Sequence, residues 1–347
     1  MHPPIRPLRQ RALFILAILM AGAVASLLFA GMTGSIRVPL AELPEALRQL
    51  ASGSAESLPA SLLEMRAGRA LTAFVTGGAL ALAGVMMQAL LRNPLADPYV
   101  LGISSGAAVG ALAALMMMTT ALVVDGAALL GAVTVSMLLY LLARRDLRGG
   151  LAAEGGASML LLTGVILSAL CSALVTLMLS LAPEGRLRSM VFWLIGDLAG
   201  APLRLTPWLV LGGALIYAMR NARAMNVVAL HAEAASTLGV RVGALRKGLF
   251  FVSGLLTASA VTSAGSVGFV GLIIPHACRF AFGPDHRVLI PARCSPASVR
   301  SRVLLPAPLR PMMLQHSPGA TCQLSPWIRM RLPAVRRRSW VWSMSTS

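Results

Sequence analysis

The run ALTAFVTGGALALAGVMMQALL, Ala70 to Leu91, continues without a gap into RNPLADP, Arg92 to Pro98. The first part is 22 residues long, carries no charge, and has only Thr72, Thr76 and Gln88 as polar side chains. An apolar stretch of about 18 residues or more reads as a membrane-spanning helix, because the hydrocarbon core is about 30 Å thick and a helix rises about 1.5 Å per residue. The second part holds Pro94 and Pro98, which forbid a continuous helix. Asn93 and Asp97 beside them can cap freed helix ends. One helix therefore stops here and another starts. The segment is a polar hinge between two apolar blocks, and the residues by themselves favour a simple cytoplasmic turn.

Working outward, similar apolar blocks place helices at about 12–30, 99–119, 122–143, 159–182, 203–220, 247–264 and 267–283, eight spans with the 70–91 block included. The composition agrees: 57% of the 347 residues are hydrophobic, 12% are charged, and the mean hydropathy is +0.77. A soluble domain of this size needs more charge to cover its surface. The expected fold class is all-α, a polytopic membrane helix bundle.

The formal net charge of +18 invites a nucleic-acid reading. Its distribution argues against one. Many arginines flank apolar blocks, where topology signals sit, and Lys247 is the single lysine. With the N-terminus in the cytoplasm, fourteen basic residues from Arg6 to Arg287 fall inside and seven from Arg37 to Arg204 fall outside. That bias favours a cytoplasmic N-terminus. Arg9-Gln10-Arg11 before Ala12 to Ala30 reads as the flank of an uncleaved first helix rather than a signal peptide. Cys171, Cys278, Cys294 and Cys322 form no CxxC pair, and read as small apolar residues rather than a disulfide or zinc framework.

Between spans, residues 31–69 are amphipathic. Val38-Pro39-Leu40 with Glu42, Glu45 and Arg48 predicts a short surface helix broken at Ser52-Gly53-Ser54. Met190 to Pro202, with Trp193, Gly196, Asp197 and Gly200, is apolar but too short to cross, so a surface or re-entrant helix is expected. Arg293 to Ser347 differs from everything before it. It contains nine arginines, seven prolines and no acid, and it has no apolar run long enough to span. Residues 1–292 are therefore read as the membrane domain and 293–347 as an aberrant, irregular basic tail, with a slipped reading frame favoured over a genuine lipid-touching extension.

Three further segments carry information. Gly102, Gly106 and Gly110 recur every four residues on one helix face, which lets a neighbouring helix approach closely, whether for internal packing or as the wall of a path. The polar stretch Asn226 to Lys247 contains His231, Glu233, Ala234, Ala235, Leu238, Gly239, Val240 and Arg241. It reads as a short helix, a glycine stop and a basic second part, either a docking element or an ordinary loop. Gly268, Gly271, Pro275 and His276 lie in the segment joining the last two spans, where Pro275 should kink or end a helix. His276 has no second histidine or carboxylate beside it, so a structural hydrogen bond is favoured over a relay or a ligand. No Gly-Lys-Ser/Thr loop, HExxH or GxSxG occurs, and buried carboxylates are scarce. No ATP site, metal, cofactor or catalytic group is expected, and an ion-driven secondary carrier is disfavoured.

The run Gln88 to Ala107, together with Gly268-Phe269-Val270-Gly271-Leu272-Ile273-Ile274-Pro275-His276, Glu233 to Val240 and Phe192 to Leu198, resembles the FecCD-type permeases, membrane subunits of ABC importers for iron-siderophores, haem and cobalamin. The resemblance covers about residues 12–292. It implies about ten helices per subunit, a homodimer or paired permease in the bacterial inner membrane, ATPase subunits docking on about His231 to Leu245, and a periplasmic substrate-binding protein. It places Arg66 and Arg69 at positions that dock that protein, with Gly68 where the family usually has proline. It assigns Asn93, Pro94, Asp97, Pro98, Gly102, Gly106, Gly110, Gly268, Gly271, Pro275 and His276 to the pore and packing motifs. Gly283 to Arg287 matches the point where the family continues with two more helices, which this chain does not show. A non-functional truncated remnant is the competing reading.

Overall fold

Long apolar blocks with no interior proline have every reason to be helical in a membrane, where each backbone N–H and C=O must find its partner inside the segment. The computed structural model describes residues 8–282 apart from 35, 37, 40, 54–55, 118, 149–155, 199–203, 231–234 and 236–238. Among the described residues it is all helical. The helices are α1 (Leu8–Met32), α2 (Leu43–Ser52), α3 (Leu58–Leu91), α4 (Ile103–Met116), α5 (Ala121–Arg148), α6 (Gly156–Leu181), α7 (Glu184–Ile195), α8 (Leu205–Leu230), α9 (Val242–Ala264) and α10 (Val270–Phe282). A single 3-10 turn, Pro98–Leu101, precedes α4. The tail from 293 and the proposed boundary at 292 lie outside the described residues.

Among the described residues, four helices are long and apolar enough to cross a membrane: Leu58–Leu91, Ala121–Arg144, Met159–Leu181 and Val242–Ala264. The count of eight full spans is not reached by that measure. One physical reason is α4, which has 14 residues where a span at 99–119 was expected. At about 1.5 Å per residue it covers about 21 Å, short of the hydrocarbon core. In contrast α3 is longer than its apolar block. Ser57 accepts a hydrogen bond from the Ala60 N–H at 3.3 Å, and Pro59 sits in the first turn, so the helix begins 12 residues before Ala70. The expected surface helix is α2, closed by Gly53 with φ +72°.

α3 and α9 form the centre, with 83% and 67% of their apolar windows buried, whereas α5 and α6 bury only 28% and 22%. α3 meets α8 through Phe74 stacked on Trp208 at 5.7 Å. α5 meets α9 through Tyr140 against Phe251 at 5.0 Å. The bundle has two ends. One carries α2, α7, the last turns of α4 and α9 and the first turns of α5 and α8. The other carries Arg92, the end of α8 and the start of α9.

Candidate functional site

The junction after α3 is built by small local devices. Arg92 takes a left-handed conformation, φ +51°, and ends the helix. The Asn93 carboxamide oxygen accepts the Leu95 N–H at 2.9 Å, and the Asp97 carboxylate accepts the Tyr99 N–H at 3.0 Å. Gly102, φ +81°, lets the chain turn into α4, and its carbonyl accepts the Gly106 N–H at 2.8 Å. Asn93 is half-buried and Pro94 exposed, while Asp97 and Pro98 are buried.

This junction is not a surface turn. A side chain on Gly271 of α10 would meet the Leu80 carbonyl at 3.1 Å, the Pro98 ring at 3.1 Å and the Asp97 carboxylate at 3.3 Å. A side chain on Gly84 would collide with the Gly271 carbonyl. Asp97 and Pro98 thus lie level with Leu80 and Gly84, at least seven residues back along α3. At about 1.5 Å per residue the chain has re-entered the bundle by about 10 Å. Irregular backbone at such depth requires protein on all sides, which α3 and α10 supply. The two segments singled out in the sequence, Arg92 to Gly102 and Gly268 to His276, therefore meet inside the bundle. The ring of Tyr99 lies 3.8 Å from the position a side chain on Gly268 would take.

Pro275 is buried within α10 rather than ending it. It lacks an N–H, so the carbonyl four residues earlier, that of Gly271, has no donor from position 275. The Gln88 amide donates to that carbonyl at 3.4 Å. Gln88 is the one amide side chain in the 70–91 block, and that isolation is the signal by which a polar tie could be found in sequence. His276, next in line, is exposed.

The glycine face of α4 closes on α5. A side chain on Gly106 would collide with Val135 and the Gly131 carbonyl, and one on Gly110 with the Ala127 carbonyl. Ser105 and Ser168 share a hydrogen bond of 3.0 Å from α4 to α6.

At the α7 end, the Arg66 guanidinium donates to the Ile36 carbonyl at 2.5 Å and the Gly31 carbonyl at 3.5 Å, so it ties down the end of α1. Arg69 is exposed. Arg186 donates to the Leu115 carbonyl at 2.8 Å and closes the end of α4. Arg204 and Asp125 form an ion pair at 2.5 Å. That pair lines a cavity of about 460 Å³ together with Thr72, Trp193, Trp208, Thr262 and others. Arg186, Arg204 and the cavity were not foreseen, because the partners come from helices far apart in the chain.

At the opposite end, Ala235 is buried and its carbonyl accepts the Val240 N–H at 3.0 Å; Gly239 has φ +78°, Val240 is half-buried and Arg241 exposed. His231, Glu233, Ala234 and Leu238 lie outside the described residues. No group of three His, Cys, Asp or Glu arranged to hold a metal ion occurs among the described residues.

Comparison with known proteins places this architecture. The FecCD transport family matches residues 16–298. The chain is 38% identical over 232 residues to the cobalamin import system permease protein BtuC of Halobacterium salinarum, a match covering 65% of this chain and 60% of that protein. It is 36% identical over 246 residues to the vitamin B12 import system permease protein BtuC of Escherichia coli O127:H6, covering 70% of this chain and 72% of that one. A transporter described as of the metal-chelate ABC type, solved in an inward-facing conformation, superposes with a TM-score of 0.69 at 29% identity, over 82% of this chain and 87% of that one. The chain belongs to the FecCD transport family.

Proposed function

We propose that the chain is the permease subunit of an ATP-driven importer, and that its cargo is a metal chelate of the cobalamin class. The observation that carries the reading is the family match over residues 16–298. The cargo is suggested by the cobalamin and vitamin B12 permeases among its relatives. In this reading the chain sits in the bacterial inner membrane with its N-terminus in the cytoplasm and pairs with a second permease. Separate ATPase subunits dock on the 231–245 segment and hydrolyse the ATP. A substrate-binding protein docks at the α7 end, where Arg69 is exposed and Arg66 shapes the surface by holding the end of α1. ATP binding would act only through the difference in contact it makes with two pore states.

The test is uptake in a bacterial strain deleted for its own vitamin B12 permease and supplied with this chain, its ATPase and its binding protein. Labelled cobalamin, a ferric siderophore and haem are offered in turn. Accumulation of cobalamin above the empty-vector control is the expected result. Accumulation of another chelate alone would reassign the cargo, and accumulation of none would refute the reading.

A further inference from the structure

α7 and α9 meet end to end at two glycines. Gly196 caps α7 with φ +83°, its N–H 3.1 Å from the Phe192 carbonyl and 3.2 Å from that of Trp193. Gly265 follows α9 with φ +73°, its N–H 2.8 Å from the Val261 carbonyl. Both backbones lie where a side chain is strained. The space is closed as well. A Cβ on Gly196 would lie 2.7 Å from the Ala264 carbonyl oxygen. One on Gly265 would lie 2.6 Å from the Trp193 carbonyl oxygen and 2.7 Å from the Gly196 Cα. With ψ at 126° and −160°, both lie outside the left-handed helical region that asparagine can share with glycine. The contact tolerates no side chain at all, so the two helix ends touch backbone to backbone.

The rest of the neighbourhood gives this contact a purpose. α7 is held at its start by Arg186 on the end of α4 and at its finish by Gly265. Between these points it contributes Trp193 to the cavity wall, and Gly265 lines the same cavity. α9 is 23 residues without proline, about 34 Å of continuous helix at about 1.5 Å per residue. Its opposite end begins at Val242, directly after Gly239 and Arg241.

We propose that Gly196 and Gly265 are positioning residues for transport: their backbone contact couples α7, and with it the cavity, to α9, which carries displacements of its own start, at Arg241 and Val242, to the other end of the bundle. The proposal rests on the permease reading, and it adds the joint through which that reading would operate. A rigid helix serves such coupling only if its far end is fixed to what must move.

The experiment places Gly265→Ala and Gly196→Ala in the full chain, assembled with its ATPase and binding protein in proteoliposomes. The expected result is unchanged assembly and unchanged basal ATP hydrolysis, with stimulation by loaded binding protein and cargo uptake each reduced about tenfold, within the usual range of coupling free energies. Uptake equal to the parent overturns the proposal, as does loss of uptake in step with assembly and basal hydrolysis, which would mark a purely structural role. A second readout needs no transport. Spin labels at Leu187→Cys on α7 and Leu255→Cys on α9, in a full chain lacking its native cysteines, should give one narrow distance that broadens or lengthens on adding Gly265→Ala. An unchanged distance refutes the joint. A parent complex that fails to transport refutes the permease reading, and the distance still decides the joint.

Discussion

Pro275 has no N–H to offer the Gly271 carbonyl, and that carbonyl finds its donor 183 residues back along the chain, at Gln88. The amide of Gln88 takes up the Gly271 carbonyl, and Gly84 is bare enough to let that carbonyl come near. Removing the donor by Gln88→Leu should cost about 1–2 kcal/mol, the usual scale for an interhelical hydrogen bond and the buried group it leaves behind. Reversible unfolding in mixed detergent micelles measures it. In a Pro275→Ala background the restored N–H can serve the carbonyl, so the same Gln88→Leu change should cost less than about 0.5 kcal/mol. Equal costs in both backgrounds would sink this account of the triad. Gly84→Leu, which drives a side chain into the Gly271 carbonyl, should cost at least about 2 kcal/mol. Gly212→Leu, at a site with nothing within 4 Å, should stay within about 0.5 kcal/mol in the isolated chain. Sequence alone names Gly84, Gly212 and Gly271 alike as glycines in apolar surroundings. Which of them is packed against backbone depends on a partner helix that local periodicity does not identify.

α4 shows what an element reveals in sequence and what it hides. The four-residue recurrence of Gly102, Gly106 and Gly110 was legible, because helical spacing puts them on one face. That α5 is the neighbour was not, since any smooth helix could fill the role. Gly106→Leu should separate α4 from α5 and cost about 1–3 kcal/mol by overpacking, while Gly126→Leu, at an open site on α5, should be neutral within about 0.5 kcal/mol. The same unfolding measurement decides between them, and a neutral Gly106→Leu would contradict the close contact. The depth at which α4 starts was hidden for a different reason. Tyr99, Val100 and Leu101 are apolar, so hydropathy runs on through the 3-10 turn and merges junction and helix into one apparent span. α3 misleads the other way. Glu64, Arg66 and Arg69 lower the hydropathy of its first turns, although capping by Ser57 already makes them helical. By contrast α2 was foreseen as a short surface helix, whereas the short helix expected over Met190 to Pro202 begins earlier, as α7 at Glu184, and stops at Gly196.

At the scale of the whole molecule, charge sets one expectation and packing another. The basic bias puts the N-terminus inside, which would make the α7 end the outer face. Single cysteines test this in a chain lacking its native ones. Leu47→Cys on α2, 50% exposed, should react with an impermeant maleimide in spheroplasts, and Leu95→Cys in the junction, 68% exposed, should react only after the membrane is permeabilised. The reverse pattern would invert the topology. Packing puts α3 and α9 at the centre and leaves α5 and α6 with broad apolar faces, as suits helices that meet lipid or a second permease. The family was legible from motifs spread over the chain, and the cargo was not, because those motifs mark helix junctions and packing glycines, whereas the cavity lining is gathered from helices far apart in the sequence.

If ATP hydrolysis by a partner drives cargo through this chain, uptake of labelled cobalamin shows it in proteoliposomes containing the full chain with its ATPase, with binding protein outside and ATP supplied on the ATPase side. The expected result is accumulation that requires hydrolysable ATP, the binding protein and this chain together. Uptake that proceeds without ATP, or an ATPase that hydrolyses ATP with no cargo moving, would refute the permease reading.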